Sequence, residues 1–108
     1  MGEAGGGSGA EFVRDGGKLK VKGELRPDDE TRYSRELTTL VNSGQFSLEL
    51  DLTELDYVNS SYIGATSLAV LMAKQSNKEM TVIAGTKVAR VLKMIGLDQM
   101  TKVEVVDE

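Results

Sequence analysis

Apolar and polar residues alternate along several short runs of the chain. From Lys18 to Leu25, Leu19, Val21 and Leu25 fall on one side while Lys18, Lys20, Lys22 and Glu24 fall on the other, the period of a strand with one wet face. Glu11 to Arg14 is a short strand candidate ahead of it, and Asp15-Gly16-Gly17 between the two supplies residues suited to a hairpin reversal. Phe46, Leu48, Leu50 and Leu52 alternate with Ser47, Glu49 and Asp51 in a further strand. Met80 to Ala84 alternates less, which predicts a place toward the middle of a sheet, and Thr101 to Val106 closes the chain as a strand.

Between these runs the period changes to that of helices. Arg26-Pro27-Asp28-Asp29 opens the first, with Pro at a tolerated early position and carboxylates in the first turn. Tyr33, Leu37, Leu40 and Val41 form its buried stripe, and Gly44 ends it. A second helix is predicted from about Ser61 to Gln75. Its Leu68-Ala69-Val70-Leu71-Met72-Ala73 run is apolar all round, which predicts the most buried helix. Thr86 caps a third helix striped by Val88, Val91, Leu92 and Ile95, with Gly96-Leu97 as its stop.

Strands thus alternate with crossovers long enough for parallel pairing after an initial hairpin. The polar side of each strand implies that one sheet face stays open. The expected fold is a single α/β domain, a mixed sheet of about five strands with three helices packed mainly on one face.

Composition narrows the chemistry. A chain of 108 residues fits one domain, with residues 11–108 forming it; residues 1–10 hold five of the twelve glycines and one charge, Glu3, and read as a flexible leader. There is no Cys and no His, which removes thiolate chemistry, disulfides and the usual proton shuttle, so no catalytic residue is expected. A net charge of −4 and the lack of a basic cluster argue against nucleic acid. No apolar run reaches the roughly eighteen residues that span a bilayer, and no signal-peptide pattern opens the chain, so no membrane insertion and a cytoplasmic location are expected. Gly85 to Lys87 lacks P-loop spacing, and no G-x-G-x-x-G follows a strand. Glu49, Asp51, Glu54 and Asp56 gather near a strand end, but alternation separates some of them and a solvated face accounts for the rest, so neither metal nor cofactor is expected.

One stretch stands out, Leu55 to Gly64, where a strand meets the apolar helix. Asn59-Ser60-Ser61 falls at that helix's N-cap, where side-chain oxygens meet unpaired backbone N–H groups and a phosphate would meet the positive end of the dipole. The Leu50-Asp51-Leu52 strand, Tyr57-Val58 and Asn59-Ser60-Ser61-Tyr62-Ile63-Gly64 together resemble the STAS domain, specifically the small anti-sigma factor antagonists of bacteria. Gly23-Glu24-Leu25 is similar to that family's entry to the first helix, and Val91 to Leu97 to its close of the third. The resemblance runs from Glu11 to Val106.

The resemblance implies that Ser60 is phosphorylated by an anti-sigma serine kinase and that Arg26, Asn59, Ser61, Tyr62, Gly64 and Ala65 contact partners. The unphosphorylated form would bind the kinase, phosphorylation would release it, and a PP2C-type phosphatase would reverse the step. A non-switched scaffold or accessory module of a signalling or transport complex is the alternative. Three positions depart from the pattern: Asn59 stands where Asp is usual, Tyr62 replaces the first motif glycine, and Arg26 stands where relatives often carry Asp, offering phosphate a cation. Many members carry a C-terminal helix; the sequence ends at Glu108 without one, which is expected to leave the third helix less covered and to favour a homodimer.

Overall fold

The computed structural model describes residues 9–55 and 57–106. The order is β1 (Glu11–Asp15), β2 (Lys18–Lys22), α1 (Glu30–Val41), β3 (Ser47–Glu54), α2 (Ser60–Gln75), β4 (Glu79–Gly85), α3 (Thr86–Met94) and β5 (Lys102–Val106). Single 3-10 turns at Pro27–Asp29 and Leu97–Gln99 precede α1 and β5. The predicted leader lies outside the described residues as far as Ser8, whereas Ala10 belongs to the core cluster.

The five strands stand in chain order, β1-β2-β3-β4-β5, with β1 antiparallel to β2 and the remaining pairs parallel. That order accounts for the helix placement. Parallel crossovers are almost always right-handed, and three successive crossovers stepping the same way across a sheet all arrive on the same face. Accordingly Leu19, Val21, Leu48, Leu50, Leu52, Met80, Val82 and Ala84 are buried on one face, with Tyr33, Leu37, Leu40 and Val41 of α1 and Val88, Ala89 and Leu92 of α3 in the same core. The intervening Lys18, Lys20, Glu49, Asp51, Thr81 and Ile83 lie on the face left open. There Lys20 Nζ meets Glu54 Oε2 at 3.0 Å, which raises the lysine's pKa.

Two glycines fit backbone demands. Gly16 sits at φ +61 in the hairpin, and Gly23, at φ +88, lets the chain leave β2 while an added Cβ would lie 3.0 Å from the Gly9 carbonyl oxygen.

Several expectations change. β4 is an inner strand, but the central one is β3, and β4 alternates in burial as strictly as its neighbour. Phe46 precedes β3 and is exposed rather than part of its apolar face. In α3 the stripe is Val88, Ala89 and Leu92; the helix ends at Met94, so Ile95 lies beyond it and is exposed. The largest correction concerns α2. It buries Tyr62, Thr66, Ala69, Val70 and Ala73, but Leu68 and Leu71 face outward at 58% and 41% exposure. An all-round apolar sequence here does not mean an all-round buried helix.

Candidate functional site

The helix entrance forms because Asn59 is extended, at φ −88 and ψ 177, and its side-chain oxygen accepts the Tyr62 backbone N–H at 3.0 Å. Its carbonyl accepts the Ile63 N–H, beginning the helical ladder. Asn59 is therefore the cap, worth about 1 kcal/mol. Ser60 and Ser61 occupy the first two helical positions, both exposed, with neither hydroxyl engaged by a described group. The capping duty that the sequence spread over three residues rests on one, Asn59, and among the described residues nothing engages the Ser60 hydroxyl.

Tyr62, expected among the partner-contacting residues, is buried instead. It is 1% exposed, packed edge-to-face on Tyr33 with centroids 5.0 Å apart and planes at 82°. Its hydroxyl donates to the Arg26 carbonyl, so the first turn of α2 is tied to the loop between β2 and α1. A side chain so placed cannot offer a partner its ring; it holds other residues in position. Burial raises the Tyr62 pKa, and the carboxylates of Asp29, Glu30 and Asp28 add to the rise.

Beneath it a hydrogen-bond chain runs through the core. Thr66 Oγ1 donates to the Tyr62 carbonyl at 2.8 Å, which commits its proton, so the Tyr33 hydroxyl donates to Thr66 Oγ1 at 2.6 Å. Thr66 is the buried polar side chain of the described core, and this chain satisfies it. Burial pushes the Tyr33 pKa up to about 12.

Arg26 is brought to the site by its backbone. Its N–H donates to Asp29 Oδ2 at 3.0 Å, its carbonyl accepts from Tyr62, and its exposed guanidinium lies 3.8 Å from Glu24. Arg26, Asn59, Ser60, Ser61 and Tyr62 thus belong to one connected corner. Ala65 is half-buried against the core, while Gly64 faces outward.

Gly64 carries a specific signal. Nothing lies within 4 Å of a Cβ built there, so the fold itself does not require glycine in this helix interior. Gly64→Ala is expected to raise the unfolding free energy by about 0.5–1 kcal/mol in chemical denaturation. Gly64 aligns with Ser61, Leu68 and Leu71 at helical spacing, making an outward stripe, and Tyr57, in the segment ahead of the helix, is itself 73% exposed. Sequence reading missed Leu68 and Leu71 as surface residues, because hydropathy does not distinguish an apolar residue that packs inside from one left outside.

Among the described residues the acidic group does not gather into a metal-binding cluster. Asp51 Oδ1 accepts the Thr53 N–H and hydroxyl at 2.9 and 2.6 Å, Glu54 pairs with Lys20, and Asp56 lies outside the described residues. Among the described residues no group of three potential metal ligands comes together, and no helix is long and apolar enough to cross a membrane.

Residues 8–106 match the protein-family model described as Mlab, STAS domain. No curated protein matches the chain. Solved structures share its architecture. An anti-sigma factor antagonist from Mycobacterium paratuberculosis superposes with a TM-score of 0.73 at 16% identity, over 88% of this chain and 83% of that one. The structure of the diguanylate cyclase SiaD with its activator SiaC from Pseudomonas aeruginosa contains a chain similar at TM-score 0.70 and 21% identity, over 94% and 93%. Apo-SiaC from the same organism gives 0.65 and 19%, over 91% and 90%. At such identities the likeness is one of fold.

Proposed function

This chain belongs to the STAS domain family, and from that premise we propose that it is a partner-switching protein whose docking surface is the entrance and outward stripe of α2. The observation that carries this reading is the exposed Ser60 at the first position of α2, beside the Asn59 cap and in line with the exposed Gly64, Leu68 and Leu71. In the unphosphorylated state the stripe of Ser60, Ser61, Gly64, Leu68 and Leu71 carries no charge, suited to close packing against an anti-sigma serine kinase. Ser60 is the phosphate acceptor, with Ser61 its unmodified neighbour, and a PP2C-type phosphatase restores the binding form.

The energetics are asymmetric. A phosphate at a helix N-terminus gains up to about 1 kcal/mol from the dipole, so the free protein tolerates it. Burying the same charge of roughly −2 beneath a partner costs several kcal/mol unless cations meet it. Release follows from that difference.

A second reading, a constitutive accessory module of a signalling or transport complex, draws support from the acidic Asp28-Asp29-Glu30 run whose charges already reach Tyr62. A phosphate at this corner would join carboxylates. The test compares the chain with Ser60→Ala and Ser60→Asp in affinity capture from its native host, together with mass spectrometry of the endogenous protein. Switching predicts one phosphate on Ser60 and at least about a tenfold loss of partner affinity in Ser60→Asp, with Ser60→Ala unimpaired. An unmodified Ser60 and equal recovery by both variants would replace the first reading with the second.

A further inference from the structure

Among the described residues each outer strand of the sheet has a neighbour on one side alone, but the two edges are not equivalent. At one edge β1 is closed over on its helix side: the Arg32 guanidinium lies 4.7 Å from the centroid of Phe12, and Arg14 reaches Glu36 at 3.4 Å. At the other edge β5 pairs, among the described residues, with β4 alone, without a register shift, and carries no Pro or Gly. Its Val103 and Val105 face the helix side, opposite the buried Val82 and Ala84 of β4. Val105 remains 42% exposed beside a groove of about 450 Å³ lined by Thr86, Ala89, Arg90, Lys93, Met94 and Val105. An edge strand without Pro, Gly or a bulge can template another strand, and the charges it carries, Lys102 and Glu104, restrict which one.

The residues of β5 select which strand. Turned antiparallel on itself about Val103, the sequence places Lys102 opposite Glu104 of a second copy, and Glu104 opposite Lys102 of that copy. Val103 then meets Val103, and Thr101 meets Val105. All opposed pairs share a face, as antiparallel pairing requires. The two attractive pairs lie on the open face and the valines on the helix side. The same operation about the centre of β1, Val13, sets Glu11 against Asp15 twice, so that edge is self-repelling.

We propose that β5 is a self-complementary dimerisation edge: two copies pair antiparallel about Val103, related by a two-fold axis, joining their sheets into one continuous sheet with all helices on the same side. The pairing supplies the missing partners of the edge backbone and covers part of Val105. Within each copy Lys102 Nζ already holds Glu104 Oε2 at 3.1 Å; in the dimer these charges form an alternating group of four.

Sedimentation velocity over a concentration series tests this on the full chain. The wild type is expected to pass from monomer to dimer, and either Lys102→Glu or Glu104→Lys, which sets like charges opposite twice, is expected to weaken association roughly tenfold or more. The double exchange, Lys102→Glu with Glu104→Lys, is expected to restore it, since the swapped strand is again self-complementary. Circular dichroism on each variant separates loss of pairing from loss of fold. A wild-type chain that stays monomeric would assign the edge to a different protein or to none. A dimer indifferent to the single reversals, or one that the double exchange fails to restore, would place the contact elsewhere. Any of these results overturns the proposal.

Discussion

Tyr62→Ala is expected to lower the unfolding free energy by about 3–5 kcal/mol, the range for truncating a large buried aromatic. For a domain of this size each kcal/mol moves the midpoint by about 4–8 °C, so thermal unfolding should shift by at least roughly 12 °C. Three losses coincide: a ring that is 1% exposed, its edge-to-face contact with Tyr33, and the hydroxyl that holds the Arg26 carbonyl. Tyr62→Phe separates them. It keeps the ring and removes only the donor, for a cost of about 1 kcal/mol. Denaturant titration of the two variants checks both figures. An alanine variant within about 1 kcal/mol of the parent would mean that the corner is held together by something other than this side chain.

The second large effect is alkaline destabilisation through Tyr33. Its folded pKa is pushed up to about 12 from an ordinary value of 10.0, chiefly by burial. Between these values the unfolded chain loses the phenol proton while the folded chain keeps it, so the folded state binds more protons and stability falls as pH rises. The contribution is intact below pH 10 and declines toward pH 12, by roughly 2–3 kcal/mol in all. Tyr62, raised in the same direction, adds to the fall with the same sign. Stability measured from pH 8 to pH 12 should show the decline in the parent and a shallower one in Tyr33→Phe. Equal slopes would remove Tyr33 as its cause.

What the sequence disclosed, and what it withheld, follow from different kinds of signal. Strands β2 and β3 were readable because Leu19 and Val21, or Leu48, Leu50 and Leu52, alternate with charges, and charges on a strand face water whatever lies on the other side. The one-sided helix layer followed from the same alternation. The corner at Asn59 was readable from local chemistry, since a cap is settled within four residues of chain. Tyr62 was not. Its place depends on Arg26, thirty-six residues away, and on Tyr33, and nothing in the spacing of Ser60, Ser61 and Tyr62 indicates that the ring turns inward while the hydroxyls turn out. Leu68 and Leu71 failed for a related reason. Burial belongs to the neighbours a residue acquires, and a helix covered on one side keeps whatever residues its other side carries.

The left-to-right order of the sheet has a consequence for how the chain reaches this state. Each strand is hydrogen-bonded to the one made just before it, so a chain emerging from the ribosome meets no strand that must wait for a later one or be threaded between two already paired. The hairpin of β1 and β2 offers the first template, and each helix with its following strand extends it by one step. β5 is the last of the described strands to arrive, and it extends the sheet by pairing with β4, the strand made just before it.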